Sequence, residues 1–488
     1  MTASSARATT GIAGLDDVLN GGLIPSRLYL VEGRPGSGKT TLAFQFLMEG
    51  VRLGESVLYV ALSESAEEIR DVAASHGWSL DGVTIHELIA PSDPLEADEE
   101  YTVFHPSEIE RAETVRSLVE RVETLHPARL VVDSLSELRL LSGGALRYRR
   151  QILGLKRFFS GRGCTVLLLD DLSSSDDDPD ILSIVHGALL LEHTKPRYGL
   201  QRRMLSVTKY RGSDFRSGYH DYAIRRGGLE IFPRLIAAEY RRTSSRAQLD
   251  SDIPGLDAML GGGIERGTST LLLGAAGTGK STLAAMFAAR AAARGQNTAM
   301  FLFDESQNTL LSRMAGLGAD LEQHRKSGAV KIQQIDPAEL SPGEFGHCIK
   351  RAVLEDDVSI VVIDSLNGYL QSMPDEQFLI IHLHELLTFL GQHGVATILI
   401  SAHQGLIGAA MSSPIDASYL ADSIVLLRYF ELEGEVRQAI STVKKRGGTH
   451  ERTIREFRIG NGRIHVGDPL RDFRGVFTGA PEKRAASS

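Results

Sequence analysis

Short apolar runs alternate with amphipathic stretches along the whole chain. In the first half, the runs Ser56–Leu62, Arg129–Val132 and Thr165–Leu169 have the length and composition of buried strands. The segments Ala188–Glu192 and Met204–Lys209 predict antiparallel strands towards the far edge of the same sheet. The second half repeats this order, with strands predicted at Thr298–Phe303, Ile360–Asp364, Ala396–Ser401, Ser423–Arg428 and Ala439–Lys444.

Amphipathic segments between these runs predict helices, for example over Thr114–Leu125 and Gln377–Gly391. Strands that alternate with helices are typical of an α/β fold with a mostly parallel sheet flanked by helices. Ligands of such sheets bind beyond the carboxyl ends of the strands. We therefore look for chemistry in the segments that directly follow the apolar runs.

Two glycine-rich segments occur at such places, Gly33–Thr40 and Gly274–Ser281, and both have the form G-x-x-x-x-G-K-[ST]. Glycines let successive backbone N–H groups surround phosphate oxygens, the lysine reaches the β- and γ-phosphates, and the hydroxyl binds Mg²⁺. The helix that follows directs its positive N-terminus at the same anion. We predict that the chain binds ATP twice, through Gly36, Ser37, Gly38, Lys39, Thr40 and Thr41 and through Gly277, Thr278, Gly279, Lys280, Ser281 and Thr282.

The two phosphate loops belong to a longer internal repeat. Gly274 lies 241 residues after Gly33, and the leader Ile12–Asp16 recurs at the same spacing as Ile253–Asp257. Similarity over such a distance indicates two copies of one domain and not a solenoid. A polar run near Tyr240–Gln248 predicts the join. We expect a first domain over residues 1–245, a second over 246–466 and a C-terminal tail over 467–488.

Acidic residues end two of the predicted strands in each half. Asp133 and Asp364 follow apolar runs in the manner of a Walker B aspartate, so we predict Mg²⁺ ligands at Thr40, Asp133, Ser281 and Asp364. Serine follows each aspartate, so the base that activates water must come from elsewhere. The neighbouring strand ends in Glu64 in the first half and in Asp304 and Glu305 in the second, and we predict these three as catalytic carboxylates.

A basic K-x-R-G segment occurs late in each half, over Lys209–Gly212 and Lys444–Gly447. Because Lys39 and Lys280 already serve the phosphate loops, we interpret the lysine and arginine of these segments as groups that reach a neighbouring subunit's triphosphate. An exposed basic edge strand is the alternative interpretation.

Composition narrows the class of protein. A net charge of −9 argues against a protein that mainly coats nucleic acid, although a local basic channel stays compatible with it. No apolar run reaches the roughly 18 residues of a membrane span, and the first residues lack the apolar core of a secretory signal. Cys164 and Cys348 show no spacing typical of a zinc site. We expect a cytoplasmic protein without a membrane partner.

The tandem halves, the I-x-G-L-D leader, the phosphate loops, the D-S Walker B strands and the K-x-R-G segments together resemble the KaiC family of circadian clock ATPases. More broadly they are similar to the KaiC/RadA group of RecA-type proteins. The resemblance covers about residues 8–465 and implies two RecA-like P-loop domains that form two stacked rings. It implies a homohexamer with ATP at the interfaces between subunits.

The same resemblance assigns further residues to the nucleotide sites. It implies that Ser75 and the segment Lys209–Ser213, with Arg211 and Ser213, lie near a first-ring nucleotide. It implies that Asp304, Leu317, Lys444 and Arg446 lie near a second-ring nucleotide. Ser418 and Tyr419 stand where the family has adjacent phosphorylated residues. This implies Ser418 as a candidate phospho-acceptor of a serine autokinase, with a plain double ATPase as the alternative.

Two function classes follow from these observations. The first is an ATP-hydrolysing ring that signals or keeps time through protein partners. The second is a RecA-family motor on DNA, such as a recombination mediator or a helicase. The acidic charge balance and the lack of a recognisable added DNA-binding module favour the first. The segment 467–488 does not match the family's regulatory tail, so it is either a docking segment for another partner or a short disordered end.

Overall fold

The computed structural model describes residues 7–88, 106–142, 144–172, 180–195, 199–240, 247–371, 376–403, 417–460, 462–476 and 482–483. The chain forms two compact units, Met1–Arg234 and Leu235–Ser488. Each unit contains one large sheet with helices on both faces, so the predicted pair of α/β domains with mostly parallel sheets is confirmed.

The sheet of the first unit has nine strands among the described residues, in the order β3-β2-β4-β5-β1-β6-β7-β8-β9. Strands β3 to β6 in that order are parallel, whereas β7, β8 and β9 add antiparallel to one edge. The strands are β1 Leu28–Gly33, β2 Val57–Ala61, β3 Thr84–Glu87, β4 Arg129–Asp133, β5 Thr165–Asp171, β6 Gly187–Thr194, β7 Arg202–Tyr210, β8 Tyr219–Arg225 and β9 Gly228–Phe232. The helices are α1 Ala13–Val18, α2 Lys39–Arg52, α3 Ala66–Ser75, α4 Pro106–Leu125, α5 Leu135–Ser142, α6 Ala145–Phe159 and α7 Asp180–Ile184. A 3₁₀ turn at Ala237–Tyr240 follows in the chain and belongs to the second unit.

The second unit repeats this topology. Its sheet has nine strands among the described residues, in the order β14-β13-β15-β16-β12-β17-β18-β19-β20. The strands of this sheet are β12 Ser269–Gly274, β13 Asn297–Leu302, β14 Val330–Gln334, β15 Val358–Asp364, β16 Ala396–Ala402, β17 Ser423–Leu432, β18 Glu435–Lys445, β19 Arg455–Gly460 and β20 Arg463–Pro469. Two further pairs form separate two-stranded sheets, β10 Gln248–Leu249 with β11 Ile264–Glu265 and β21 Phe473–Arg474 with β22 Glu482–Lys483. The helices are α8 Pro254–Met259, α9 Lys280–Ala293, α10 Gln307–Gly316, α11 Leu321–Lys326, α12 Pro342–Leu354, α13 Leu366–Gln371 and α14 Glu376–Gln392, with a 3₁₀ turn at Ala417–Tyr419.

Burial on both faces explains why the central strands have continuous apolar sequences. In β1, Tyr29 and Val31 pack into a core with α1, α2 and α3, while Leu28 and Leu30 pack into a second core with α5, α6 and α7. Successive side chains of a strand point to opposite faces, so a strand between two helical layers needs apolar residues at every position. The central strands are thereby fixed, and their carboxyl ends form a rigid edge.

The repeated leader has a structural role in each unit. A Cβ atom on Gly14 would lie 2.0 Å from the carbonyl oxygen of Ile231 in β9, so this close approach requires glycine. Asp16 accepts hydrogen bonds at 2.9 and 2.8 Å from the backbone N–H and hydroxyl of Thr10. Asp257 accepts the same pair of bonds from Ser251, both at 2.8 Å. The leader therefore holds α1 against the antiparallel strand β9 in the first unit, and α8 against the antiparallel strand β20 in the second.

The units meet along the sequence between Arg234 and Leu235, earlier than the predicted join near Tyr240–Gln248. Leu235 packs into the core of the second unit, and the N–H of Ala237 donates to Glu385 at 2.9 Å. Residues 241–246, the polar run of the predicted linker, lie outside the described residues. The predicted join near Tyr240–Gln248 stays a prediction.

The first part of the predicted tail is folded onto the second unit. Strand β20 continues to Pro469, and Val476 is 2% exposed in a small core with Phe430 and Ala439. Of the predicted tail, residues 477–481 and 484–488 lie outside the described residues. The alternative of a wholly disordered tail is therefore wrong for residues 467–476, because apolar side chains there are buried against β17 and β18.

Candidate functional site

The first glycine-rich loop joins the carboxyl end of β1 to the N-terminus of α2. Gly36 and Gly38 have φ angles of 80° and 97°, which favour glycine. A Cβ on Gly38 would also lie 2.6 Å from Ile224 of β8. The Nζ of Lys39 donates to the carbonyl oxygen of Gly33 at 2.8 Å, so the ammonium group lies under the loop. This geometry fits a phosphate cradle at a helix N-terminus.

Two hydroxyl groups and two carboxyl groups cluster beside the start of α2. Thr40, in the first turn of α2, donates to the Oδ2 of Asp133 at 3.0 Å, and the Tyr59 hydroxyl donates to the same oxygen at 2.6 Å. Burial raises the pKa of Asp133, and these two hydrogen bonds oppose that rise. Desolvation of its carboxyl group raises the pKa of Glu64, and repulsion from Asp133 and Glu68 adds to it. A weakly acidic carboxyl beside a phosphate cradle is suited to general-base chemistry.

A capping box fixes the position of Glu64. Ser65 is the N-cap of α3, and its hydroxyl accepts a bond from the N–H of Glu68 while the Glu68 carboxylate accepts from the N–H of Ser65. Glu64 is thus held between the end of β2 and a capped helix. In the second unit Ser306, directly after Glu305, caps α10 through its hydroxyl alone, which accepts a bond from the N–H of Thr309. The signal S-x-x-E of the first cap was readable in the sequence.

The second loop has the same backbone geometry, between β12 and α9. Gly277 and Gly279 have φ angles of 79° and 93°, and a Cβ on Gly279 would lie 2.4 Å from Ile459 of β19. The Nζ of Lys280 donates to the carbonyl oxygens of Gly274 at 2.9 Å and Ala275 at 2.6 Å. Burial lowers the pKa of Lys280 to about 8, which Asp364 opposes. A bound polyphosphate would favour the charged form of this lysine.

Three carboxyl groups meet at the second loop. Burial raises the pKa of Asp364 to about 6; a hydrogen bond from Ser281 lowers it, and repulsion from Glu305 and Asp304 raises it further. The Ser365 hydroxyl donates to Asp304 at 2.5 Å. Glu305 forms a bidentate ion pair with Arg313, at 2.5 and 2.8 Å. Arg313 was not predicted, because an arginine eight residues after a glutamate carries no motif.

The two loops differ in one further ion pair. Lys39 contacts the Oδ1 of Asp171 at 2.7 Å. The register of the sheets pairs Gly33 with Asp171 in the first unit and Gly274 with Ala402 in the second, so the matching position there is uncharged. Asp171 was not predicted as a site residue, and its only sequence signal is an acidic end to an apolar strand. The first lysine is therefore already paired with a carboxylate.

Comparison with known proteins identifies the family. A family model described as "ATPase: KaiC" matches residues 8–236 and again residues 249–471. The chain belongs to the KaiC family of ATPases. The two matches cover both units that the structure contains, and both phosphate loops fall inside them. The resemblance drawn from the sequence motifs is confirmed.

Curated members of the KaiC family are similar to the chain over nearly its whole length. Circadian clock protein KaiC3 of Synechocystis sp. is 28% identical, over 98% of this chain and 95% of its own. Circadian clock oscillator protein KaiC of Picosynechococcus sp. is 28% identical, over 98% of this chain and 92% of its own length. The protein of the same name from Synechococcus elongatus is 27% identical, over 98% of this chain and 92% of its own length.

No described helix is long and apolar enough to cross a membrane.

The KaiC-like K-x-R-G segments lie at the other end of each sheet from the phosphate loop. Lys209 donates to the carbonyl oxygen of Leu182, and Arg211 to that of Ser183 at 3.3 Å. Lys444 donates to the carbonyl oxygens of Ser418 and Ala421, both at 2.8 Å. The strands end at Tyr210 and Lys445, so each arginine follows its strand and does not lie in it. Each pair contacts the segment that precedes the sixth strand of its sheet.

The remaining predicted residues lie at several places. Thr41 and Thr282 are buried in the first turns of α2 and α9, and Ser37 and Thr278 are fully buried inside the loops. Ser75 ends α3, where its hydroxyl donates to Val72. Ser213 accepts a hydrogen bond from Arg7 at 2.8 Å. In the second unit, Leu317 directly follows α10. The guanidinium of Arg446 donates to the carbonyl oxygen of Tyr419 at 2.6 Å. The structure therefore brings together each loop with its carboxylates, and separately Ser418 with Lys444 and Arg446.

Proposed function

We propose that this KaiC-family ATPase binds and hydrolyses ATP at both loops and that its nucleotide state is communicated to protein partners. The observation that carries the proposal is the same in each unit. A phosphate cradle, a buried lysine, a hydroxyl, a Walker B aspartate and a strand-end carboxylate meet at one end of one sheet. Positioned donors and a base are the elements that phosphoryl transfer to water requires.

In the proposed first site, the backbone N–H groups of the loop and Lys39 hold the triphosphate. The donor set fits Mg²⁺, because Thr40 and Asp133 offer a hydroxyl and a carboxylate that already lie 3.0 Å apart. The ion would neutralise charge on the phosphates. Glu64 orients a water molecule and accepts its proton, since its raised pKa makes it a better base than an ordinary glutamate.

In the proposed second site, Lys280 holds the phosphates and Ser281 with Asp364 fits Mg²⁺. Asp304 and Glu305 are the carboxylates available to orient water or another acceptor. Asp304 accepts a hydrogen bond from Ser365, and Glu305 is bound to Arg313, whereas Glu64 has neither kind of contact among the described residues of the first unit. Similar chemistry at unequal rates is therefore part of the proposal.

The proposal includes assembly into a homohexamer with ATP between subunits, and the position of the K-x-R-G segments supports it. Lys444 of β18 lies opposite Ile424 of β17, and Ile424 in turn lies opposite Leu271 of β12. Leu271 precedes Gly274, at the start of the phosphate loop, by three residues. Three strand residues span about 10 Å, and the loop extends away from that end. The register supports a role for Lys444 and Arg446, and by analogy Lys209 and Arg211, at the triphosphate of an adjacent subunit.

Serine autophosphorylation belongs to the same proposal. Ser418 precedes β17, and its carbonyl accepts from Lys444, so it lies beside the group proposed to meet the neighbour's nucleotide. Phosphoryl transfer needs acceptor and phosphorus nearly in line, so Ser418 would act on the ATP of the next subunit and not on its own.

The partner and output are proposed from the family. The relatives are named as circadian clock proteins, which supports timing or signalling through protein partners. The runner-up is a DNA-dependent ATPase of the wider RecA group. The test is ATP hydrolysis with and without single-stranded DNA. We expect no change, whereas a large stimulation would overturn the signalling proposal in favour of the motor.

A further inference from the structure

Arg313 holds the carboxylate of Glu305 in a two-point contact. Its two terminal nitrogens lie 2.5 and 2.8 Å from the two carboxylate oxygens of Glu305. The side chains are 35% and 19% exposed, so the pair is only partly open to water. Both residues are fixed by the chain, since Glu305 directly precedes the N-cap Ser306 and Arg313 lies in α10. Bidentate pairs of this kind are among the strong charge-assisted contacts.

The first unit lacks this contact at the matched position. Residues 241 apart correspond in the two units, which places Val72 opposite Arg313 and Glu64 opposite Glu305. Val72 lies in α3 and is 38% exposed. The charges that act on Glu64 are those of Asp133 and Glu68, both negative. Both strand-end glutamates thus have acidic neighbours, and Glu305 is in addition bound to a guanidinium.

This difference has a direct chemical consequence for a base. A carboxylate must offer a free oxygen to water and bind a proton during the reaction. A bidentate guanidinium occupies both carboxylate oxygens, so neither oxygen is left free to orient water and accept its proton. It also directs the side chain towards α10. We propose that Arg313 is a positioning residue that restrains Glu305 and keeps turnover at the second site slow. The inference rests on the proposed function of that site as an ATPase.

The first test isolates the second site in the full chain with Lys39→Ala. In this background, Arg313→Val installs the residue of the first unit. Turnover at saturating ATP should rise about tenfold, which is a small part of the 10²–10⁴-fold that a general base can supply. Arg313→Lys, which keeps the charge and loses the two-point contact, should give an intermediate rate. ATP affinity is measured in parallel, because a merely structural role would change binding or folding without raising turnover.

The reciprocal test isolates the first site with Lys280→Ala and adds Val72→Arg. Glu64 and Val72 have the same spacing as Glu305 and Arg313, so this arginine should lower first-site turnover by about tenfold while ATP stays bound. An unchanged or lower rate in Arg313→Val, or an unchanged rate in Val72→Arg, would overturn the restraint. A Lys39→Ala parent that binds no ATP would instead contradict the proposed second site itself.

Discussion

Replacement of Glu64 by glutamine is the most informative change at the first site. The carboxyl group lies at the end of β2 beside Asp133, held there by the capped start of α3. Glutamine keeps the size and can still accept a hydrogen bond, but it cannot take a proton from water. In a Lys280→Ala chain, we therefore expect ATP binding to persist while hydrolysis falls.

The size of the loss follows from the role assigned to the carboxylate. General-base help is worth about 10²–10⁴-fold, and the raised pKa of Glu64 places it towards the stronger bases among glutamates. Phosphate release at saturating ATP measures the loss. Glu67 lies three residues after Glu64, in the first turn of α3, and its side chain is exposed. Glu67→Gln is therefore the matched control, and we expect it to hydrolyse ATP at the rate of the Lys280→Ala parent.

The same assignment fixes the sign of the pH dependence. Because the base must be ionised, turnover should fall as the pH drops through the pKa of Glu64, which lies above that of an ordinary glutamate. Glu64→Gln should remove this acidic limb together with the activity. A Glu64→Gln variant that keeps more than about a tenth of the rate of its Lys280→Ala parent would refute Glu64 as the base.

Three further predictions concern the ion pair at the first loop, the acceptor and the assembly. Asp171→Ala in the Lys280→Ala chain frees Lys39 from a 2.7 Å contact, so ATP affinity should rise about fivefold; weaker binding would contradict competition between Asp171 and phosphate. Labelled ATP followed by mass mapping should place phosphate on Ser418, and the label should vanish in Asp304→Asn/Glu305→Gln; hydrolysis without any phosphoprotein would leave a double ATPase. Light scattering with Mg²⁺ and ATP should give a hexamer, and a monomer at micromolar concentration would count against the ring.

Local sequence determined which parts of this molecule could be predicted. The loops around Gly36 and Gly277, the aspartates after β4 and β15, and the strand-end carboxylates were predictable, because each needs particular residue types at fixed spacing. The central strands were predictable because both of their faces are buried. Short edge strands such as Thr84–Glu87, which is half-exposed, were missed since they carry little apolar signal.

Contacts between distant side chains could not be predicted from the sequence. Lys39 and Asp171 are 132 residues apart in the sequence. They come into contact only because β1 and β5 are neighbouring strands in register. Arg313 resembles any helical surface arginine until α10 places it against Glu305. The leader residue Asp16 looked like part of a motif, yet it accepts bonds from Thr10 and stabilises the fold. Tertiary register, and not residue type, assigns these roles.

The central claim is that the chain carries two separate nucleotide sites, and bound nucleotide per chain tests it most directly. The wild-type protein should hold two nucleotides, while Lys39→Ala and Lys280→Ala should each hold one. Each change removes the ammonium group under one loop and leaves the other loop, in a different compact unit, unchanged. A single variant that loses both nucleotides, or a wild-type chain that holds only one, would contradict the account.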